Sequence, residues 1–315
     1  MPDELAILYN DINQDKLRVT RPSKLVFLCG GVISSVPHSK AISLRDYLFR
    51  IRGIEKKLKG PIVLAEKANQ LYRETNYGDL ISFEEDIARI AAVVLVIAES
   101  PGSLAELGAF ATNNTIARAL RIVMQAQYAN TESFIRFGPV ERIKRVERSF
   151  VGFYPWRINQ RGVVVTGSAA PHYGEIVKFI NQHIDKTPAS ELFRNLGDAK
   201  QFYVTYWVIY LAMAVSQTVL HGYMALLYPT LTASDLRNRL YCMELAGWIS
   251  KESYSGKDYY YTLSSADPFD YAYKDSVREK DSIRRKHKIT AAMQKIEAAP
   301  NHVRTVVVRK RGGSR

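Results

Sequence analysis

Between residue 23 and about residue 186 the chain alternates short apolar runs with longer amphipathic ones. Five runs, at 24–29, 61–65, 92–98, 120–124 and 162–166, are mostly apolar and lack polar alternation, and 92–98 is rich in β-branched residues. That pattern predicts strands covered on both faces, as in a parallel sheet. The stretches between them, at 39–52, 82–91, 103–119 and 172–184, are predicted helices. Strand and helix in alternation predict an α/β unit with a five-stranded parallel sheet and helices on both faces. One stretch, 131–157, follows neither period and crowds Arg142, Lys144, Arg145 and Arg148 together. It predicts a short helix and a basic surface.

The pattern breaks near Pro188, where small polar residues interrupt it. Residues 201–234 then contain no Asp, Glu, Lys or Arg. By length this stretch is a transmembrane candidate. It is rejected because Thr205, Ser216, Gln217, Thr218 and His221 would need partners in lipid, and Gly222 and Pro229 suggest a core helix that turns. No basic cluster brackets the stretch. Thr232 and Asp235 then have capping-box spacing at the start of a helix whose Leu236, Leu240 and Met243 share a face, with Gly247 closing it. Residues 248–254 and 258–263 read as a hairpin around a glycine turn. A last helix is expected over 273–298, stopped by Pro300, before a basic end at 308–315. Helix, helix, hairpin is the order of a winged helix. The chain is therefore expected to hold a flavodoxin/Rossmann-like α/β domain at 1–186 and a mostly helical winged-helix domain at 190–315. Arg237, Asn238 and Arg239 would occupy the exposed face of the second helix, fit for phosphate or base-edge contacts.

Charge sharpens that picture. The 315 residues carry a net charge of +13. Residues 271–315 hold thirteen Lys or Arg against four Asp or Glu, a net +9. Such a local excess favours a polyanionic partner through counterion release. Arg284, Arg285 and Lys286 are the candidate contacts within it; the plainer alternative is a solvated basic helix. The two cysteines, Cys29 and Cys242, fall in separate core segments and read as buried thiols, which fits a reducing cytoplasm. The amino-terminal residues carry acids early and lack a basic region followed by an apolar block, so they do not read as a signal peptide. Hydrophobic content of 47% is that of a soluble globular chain.

The richest segment is AVVLVIAESPGSLAELGAF, residues 92–110. A buried strand ends in the turn Glu99-Ser100-Pro101-Gly102, and a helix follows with Ser103 as its expected N-cap. The carboxyl end of such a strand beside a helix N-terminus is where open α/β sheets bind ligands. Glu99 and Glu106 both stand at that crevice. Glu106 lies three residues after Ser103, so it is either the capping-box partner of that serine or a carboxylate held for chemistry.

The same segment resembles the active-site stretch of nucleoside deoxyribosyltransferase-like proteins. Leu25-Val-Phe-Leu-Cys-Gly-Gly31 and Ser133-Phe-Ile-Arg-Phe-Gly-Pro-Val140 resemble one branch of that group more closely: the effectors of retron antiphage systems, which join an N-glycosidase-like domain to a winged helix. The specific motifs cover about 25–145, and the remainder rests on domain order. The resemblance implies that Glu106 attacks or stabilises C1′ of a ribosyl group, and that Glu84 or Asp86 binds sugar. It further implies a restraint by the retron reverse transcriptase with its branched RNA–DNA product, toxicity on release, and an oligomer in which a neighbouring subunit completes the site. The turn lacks the aspartate-bearing stretch of the better-known transferases, which favours hydrolysis over base exchange.

The residues themselves add what such a reaction needs. Breaking a bond from C1′ to a base nitrogen passes through an oxocarbenium-like state, which a nearby carboxylate stabilises. In NAD the departing nicotinamide already carries a positive nitrogen, so one carboxylate can suffice. NAD or a related nucleotide is thus the expected substrate, and no cofactor is called for. Gly30 and Gly31 end the first strand where backbone would pass close to a ligand. Ser100, Gly102 and Ser103 offer hydroxyls and amides at a helix N-terminus. His38 and His172 are left as structural, and no His, Cys or Asp spacing suggests a metal site. Two alternatives stay open: a nucleotide-sensing DNA-binding regulator without activity, and a phosphoribohydrolase of nucleoside monophosphates.

Overall fold

The computed structural model describes residues 2–65 and 77–312. Its chain divides into two compact units. One comprises Lys24–Leu71 and Asp79–Thr187; the other comprises Met1–Ser23, Tyr72–Gly78 and Pro188–Arg315.

Strands are numbered along the chain, and β1 (Arg18–Thr20) belongs to the second unit. The first unit holds β2 (Val26–Cys29), β3 (Ile62–Leu64), β4 (Val93–Ala98), β5 (Leu120–Gln125) and β6 (Val151–Tyr154). They form a five-stranded sheet in the order β3-β2-β4-β5-β6, parallel throughout. Every residue of β2, β4 and β5 is buried, as their unbroken apolar runs require. Phe27, Phe83 and Phe110 pack together. A separate cluster joins Val26, Leu28, Leu95 and Ile97 to Tyr47, Ile176 and Ile180. The chain leaves β2 toward β3 and returns to β4 on the other side. Their carboxyl ends therefore flank the topological switch point, the crevice where such sheets take ligands.

The fifth strand is not the expected one. Residues 162–166 contribute only an isolated bridge, Ile158 to Val164, and Thr166–Ala169 is already helical. Gly162 adopts a positive φ of 75° in a turn closed by Asn159. The valine run at 163–165 imitates a strand but follows that turn too closely to reach the sheet. The position goes instead to β6, a half-buried edge strand within the basic stretch. That stretch also holds the π-helical turn Arg136–Val140 and the short helix Glu141–Val146.

In the second unit the charge-free run is broken into helices Lys200–Ala212 and Gln217–Leu227. Met213, at φ 66°, and β8 (Val215–Ser216) lie between them. Phe202, Tyr203, Tyr206 and Trp207 are all buried, so the apolar run is core. No described helix is long and apolar enough to cross a membrane. Helix Ala233–Leu245 opens with the expected capping box, Thr232 with Asp235. Gly247 follows with φ 66°. Then β9 (Ile249–Tyr254) and β10 (Lys257–Thr262) form an antiparallel hairpin through Ser255 and Gly256, both at positive φ. The short β8 pairs with β10, giving the order β8-β10-β9.

The carboxyl end differs from expectation. The expected helix over 273–298 is shorter, Ser282–Ile296, with Asp281 accepting from the amides of Ile283 and Arg284 at its start. As far as Gly312 the basic end is not a tail, because Asn301–Gly312 is a helix that buries Val303, Val306 and Val307; residues 313–315 lie outside the described residues. A second small sheet, β11-β1-β7, uses β7 (Ser190–Leu192) and β11 (Phe269–Asp270). It draws residues before Ser23 into this unit, since β1 pairs with both.

Gly60 marks the entry to β3. A Cβ there would stand 1.9 Å from the Lys24 carbonyl oxygen, backbone that cannot swing aside. Gly60→Ala is expected to destabilise the protein by about 2–3 kcal/mol, read as a lower urea midpoint with an unchanged slope.

Candidate active site

The helix after β4 is Pro101–Thr112, and its N-cap is Ser100, three residues before the expected one. Ser100 Oγ accepts from the Ser103 amide at 3.2 Å, and Ser103 Oγ accepts from the Ser100 amide at 3.0 Å. Proline suits the first helical position because the helix needs no amide proton there. The shift has a chemical result. Two serines close the cap between themselves, so Glu106 is not a capping partner. It sits one turn further along with its side chain half-buried, and its Oε2 accepts no hydrogen bond.

Three groups surround that carboxylate. Burial raises the Glu106 pKa, while the Arg45 guanidinium and the Cys29 thiol, hydrogen-bonded to it, hold it down. Glu84, on helix Leu80–Ile90, is pushed up to about 8 by burial and by the charge of Glu106. Burial and the same two carboxylates push the Cys29 thiol well up, so it stays protonated. The arrangement separates two acids by environment: one with a cation beside it, the other favoured in its protonated form near neutrality.

Glu99 has a different task. Its carboxylate accepts from the amides of Gly31 at 3.1 Å, Leu44 at 2.6 Å and Arg45 at 2.9 Å. It therefore ties the exits of β2 and β4 to the turn that begins helix Leu44–Asp46, and has little left for a substrate. Arg45 is buried and donates to the carbonyls of Gly31 at 2.6 Å and Leu28 at 3.3 Å. The glycine pair is explained by the same knot. A Cβ on Gly31 would come within 2.6 Å of Ser43 Cβ, and one on Gly30 within 3.1 Å of Arg45 and Ile97. Close packing of the protein on itself already demands glycine at Gly31, and at Gly30 a side chain would need Arg45 or Ile97 to give by a few tenths of an ångström.

Of the expected binding residues, Gly30, Gly31, Glu84, Glu99, Ser100, Gly102 and Ser103 therefore belong to one edge of the sheet and the elements on it. Asp86 does not join them. It pairs with Arg89 at 2.5 Å, on the same helix as Glu84 but two residues round it. Ser103 is buried within the cap, whereas Pro101 and Gly102 are exposed, with open space at the Gly102 Cα. Arg45 and Cys29 were not legible as site residues. Arg45 occupies a predicted helix with no motif around it, and Cys29 reads as an ordinary core thiol. No group of three or more potential metal ligands occurs among the described residues.

The expected nucleic-acid contacts fare unevenly. Arg237 is exposed, but Asn238 is 8% exposed and faces inward. Arg239 lies 5.8 Å from the Phe202 ring. Three consecutive helical residues point about 100° apart, so they cannot share one face. Arg284 is exposed beside Glu279. Arg285 pairs with Asp11 at 2.5 Å and lies over Tyr273, and Lys286 pairs with Asp267 at 2.6 Å. Part of the carboxyl-terminal charge thus holds the unit together.

Residues 41–251 match the family model described as STM3845 retron effector protein. The chain belongs to this family of retron effectors. Two Escherichia coli proteins are similar to parts of this effector. The "Retron Ec86 putative ribosyltransferase/DNA-binding protein" is 30% identical over 121 residues, 38% of this chain and 37% of that protein. The "Retron Ec73 putative ribosyltransferase/DNA-binding protein" is 26% identical over 138 residues, 44% and 43% respectively. The matches thus span less than half the length of either relative.

The environment of Glu84 has a thermodynamic signature. Between the ordinary carboxyl pKa and about 8, the folded chain keeps a proton that the unfolded chain releases. Stability must therefore fall as pH rises through that window. Glu84→Gln removes its share of the slope: its melting temperature should exceed the parent's by a few degrees at pH 8, and the gap should close toward pH 5. A gap independent of pH would contradict the assignment.

Proposed function

We propose that this retron effector hydrolyses the N-glycosidic bond of a nucleotide, with NAD as the foremost substrate. The observation that carries the reading is the Glu106 carboxylate, whose Oε2 is buried without a hydrogen bond, at the switch point of a parallel sheet, with the Glu84 carboxyl pushed up to about 8 by burial and by the charge of Glu106. In this reading the C1′–nitrogen bond breaks with its electron pair leaving on the base. Glu106 stabilises the positive charge that develops at C1′, or bonds to it transiently. Nicotinamide departs neutral and needs no proton. Where the base is not already cationic, Glu84 can supply one. Water then delivers hydroxide to C1′ and its remaining proton to a carboxylate. Arg45 and the Cys29 thiol oppose the rise that burial imposes on Glu106, favouring its charged form; Glu99 holds the frame.

The second unit fits a winged helix. Helix Lys200–Ala212, β8, helices Gln217–Leu227 and Ala233–Leu245, and the hairpin β9–β10 follow in that order. The relatives' names include DNA binding, and a contact to the RNA–DNA product of a retron reverse transcriptase accords with this unit's charge. In this reading that contact restrains a toxic activity until it is released.

Two experiments test the proposal. Glu106→Gln keeps the shape and loses the charge, so NAD cleavage by the purified protein, followed by chromatography of the products, should drop at least a thousandfold with the melting temperature preserved. Undiminished cleavage in the folded variant would remove Glu106 from the mechanism. For the partner, Arg237→Gln should weaken binding to a structured RNA–DNA hybrid and reduce the slope of log affinity against log salt by about one unit. Lys286→Gln should leave that slope alone and instead lower stability by about 1–3 kcal/mol, because its charge faces Asp267.

A further inference from the structure

Two phenylalanines on the α/β unit are exposed to a degree that packing does not explain. Phe134 is 83% exposed and Phe137 is 57% exposed, although large apolar side chains are mostly interior. They lie three residues apart, so they share a face of one turn. The segment is not loose. Phe137 donates its amide to the Ser133 carbonyl at 3.0 Å, Arg136 Nε donates to the Ala129 carbonyl at 2.6 Å, and Pro139 and Val140 are buried beneath. The Phe134 ring rests beside Gly138, which has no side chain to cover it. The Arg136 guanidinium lies 4.8 Å from the centre of the Phe137 ring.

Topology places this pair. The segment leaves the carboxyl end of β5, which neighbours β4, whose carboxyl end leads into Glu99 and the Glu106 helix. The π-helical turn Arg136–Val140 packs against helix Pro101–Thr112, which bears Glu106. Tyr128, 40% exposed, stands on the same connection. Two aromatic rings on a hydrogen-bonded turn, open to solvent and with a guanidinium beside the Phe137 ring, thus stand on the edge of the sheet that carries the carboxylates.

We propose that Phe134 and Phe137 form the platform on which the base of the nucleotide stacks, with Arg136 alongside to favour an anionic ligand. The proposal rests on the glycosidase reading for the identity of its ligand, and it names the base as the recognised part. Stacking has no donor or acceptor code, because every base has a π-face. The platform would therefore accept different planar bases, and selectivity for the sugar would come from the Glu84 and Glu106 side of the site.

The test measures binding apart from chemistry. In the full chain carrying Glu106→Gln, the affinities of NAD, AMP, deoxyadenosine and ribose 5-phosphate are measured by calorimetry, with and without Phe134→Ala plus Phe137→Ala. The alanine pair should weaken every base-containing ligand bound by the Glu106→Gln protein about tenfold or more. Ribose 5-phosphate, which has no base, should be unaffected, and Phe→Trp replacements should restore binding. The platform is overturned if no base-containing compound binds the Glu106→Gln protein, if the alanine pair leaves their affinities unchanged, or if ribose 5-phosphate weakens equally. Sedimentation of the same variants covers the remaining case. Loss of a larger assembly with nucleotide affinity unchanged would assign the rings to contact between copies and overturn the platform. Cleavage by protein retaining Glu106 is measured separately. Failure to cleave would count against the glycosidase reading while leaving base stacking to be judged on affinity alone.

Discussion

Three backbone amides converge on the carboxylate of Glu99, and the site depends on that convergence. Gly31 lies at the exit of β2, Leu44 and Arg45 begin a helix further along, and Glu99 itself directly follows β4. Parallel strands fix their own register but not the path of the chain beyond their ends. Here a single acid fixes two such paths, the exit of β4 that carries it and the connection that leaves β2. Buried amides need an acceptor, and a buried carboxylate needs donors. Each group makes the other tolerable, and the Arg45 side chain closes the arrangement through the carbonyls of Gly31 and Leu28. Burial still pushes the Glu99 carboxyl up, with the amides opposing it.

Much of this architecture was legible because the sheet is buried on both faces. The runs at 24–29, 61–65, 92–98 and 120–124 could be little else, and each became a strand. The errors have the same physical root. Residues 163–165 carry the same β-branched signature, yet the turn at Gly162 keeps them from the sheet, and the edge strand Val151–Tyr154 has no continuous apolar run to announce it. At the site, Glu106 and the crevice were visible from one segment of nineteen residues. What could not be seen were contacts across long separations: Glu99 to Leu44 and Arg45, or Cys29 to Glu106. A motif records neighbours in sequence, whereas desolvation and charge at Glu84 arise from residues brought together by folding.

Charge shows the same limit in the second unit. A net +9 in the last forty-five residues reads as a solvent-facing surface. Yet Arg285 and Lys286 pair with Asp11 and Asp267, and Arg311 donates to Thr262 through two nitrogens. A count of residues reports total charge, and only partners decide how much of it is presented outward. Arg237 and Arg284 remain exposed, and any electrostatic attraction of a polyanion must come from such residues more than from the total.

The strand Arg18–Thr20 sits between partners drawn from opposite regions of the carboxyl half, Ser190–Leu192 and Phe269–Asp270. One unit is therefore nested inside the sequence of the other. On the ribosome the α/β unit emerges next, broken only at Tyr72–Gly78, while the strand that precedes it must wait through its entire synthesis for both neighbours. The early strand has two unfilled edges during that interval, a state that invites pairing with other chains. The order of genetic cuts follows from the same nesting. A fragment beginning at residue 190 would lack the middle strand of its own sheet, whereas one from 24 to 187 would carry all five strands of the other. Residue order along the gene and autonomy of the folded parts are, in this chain, different maps.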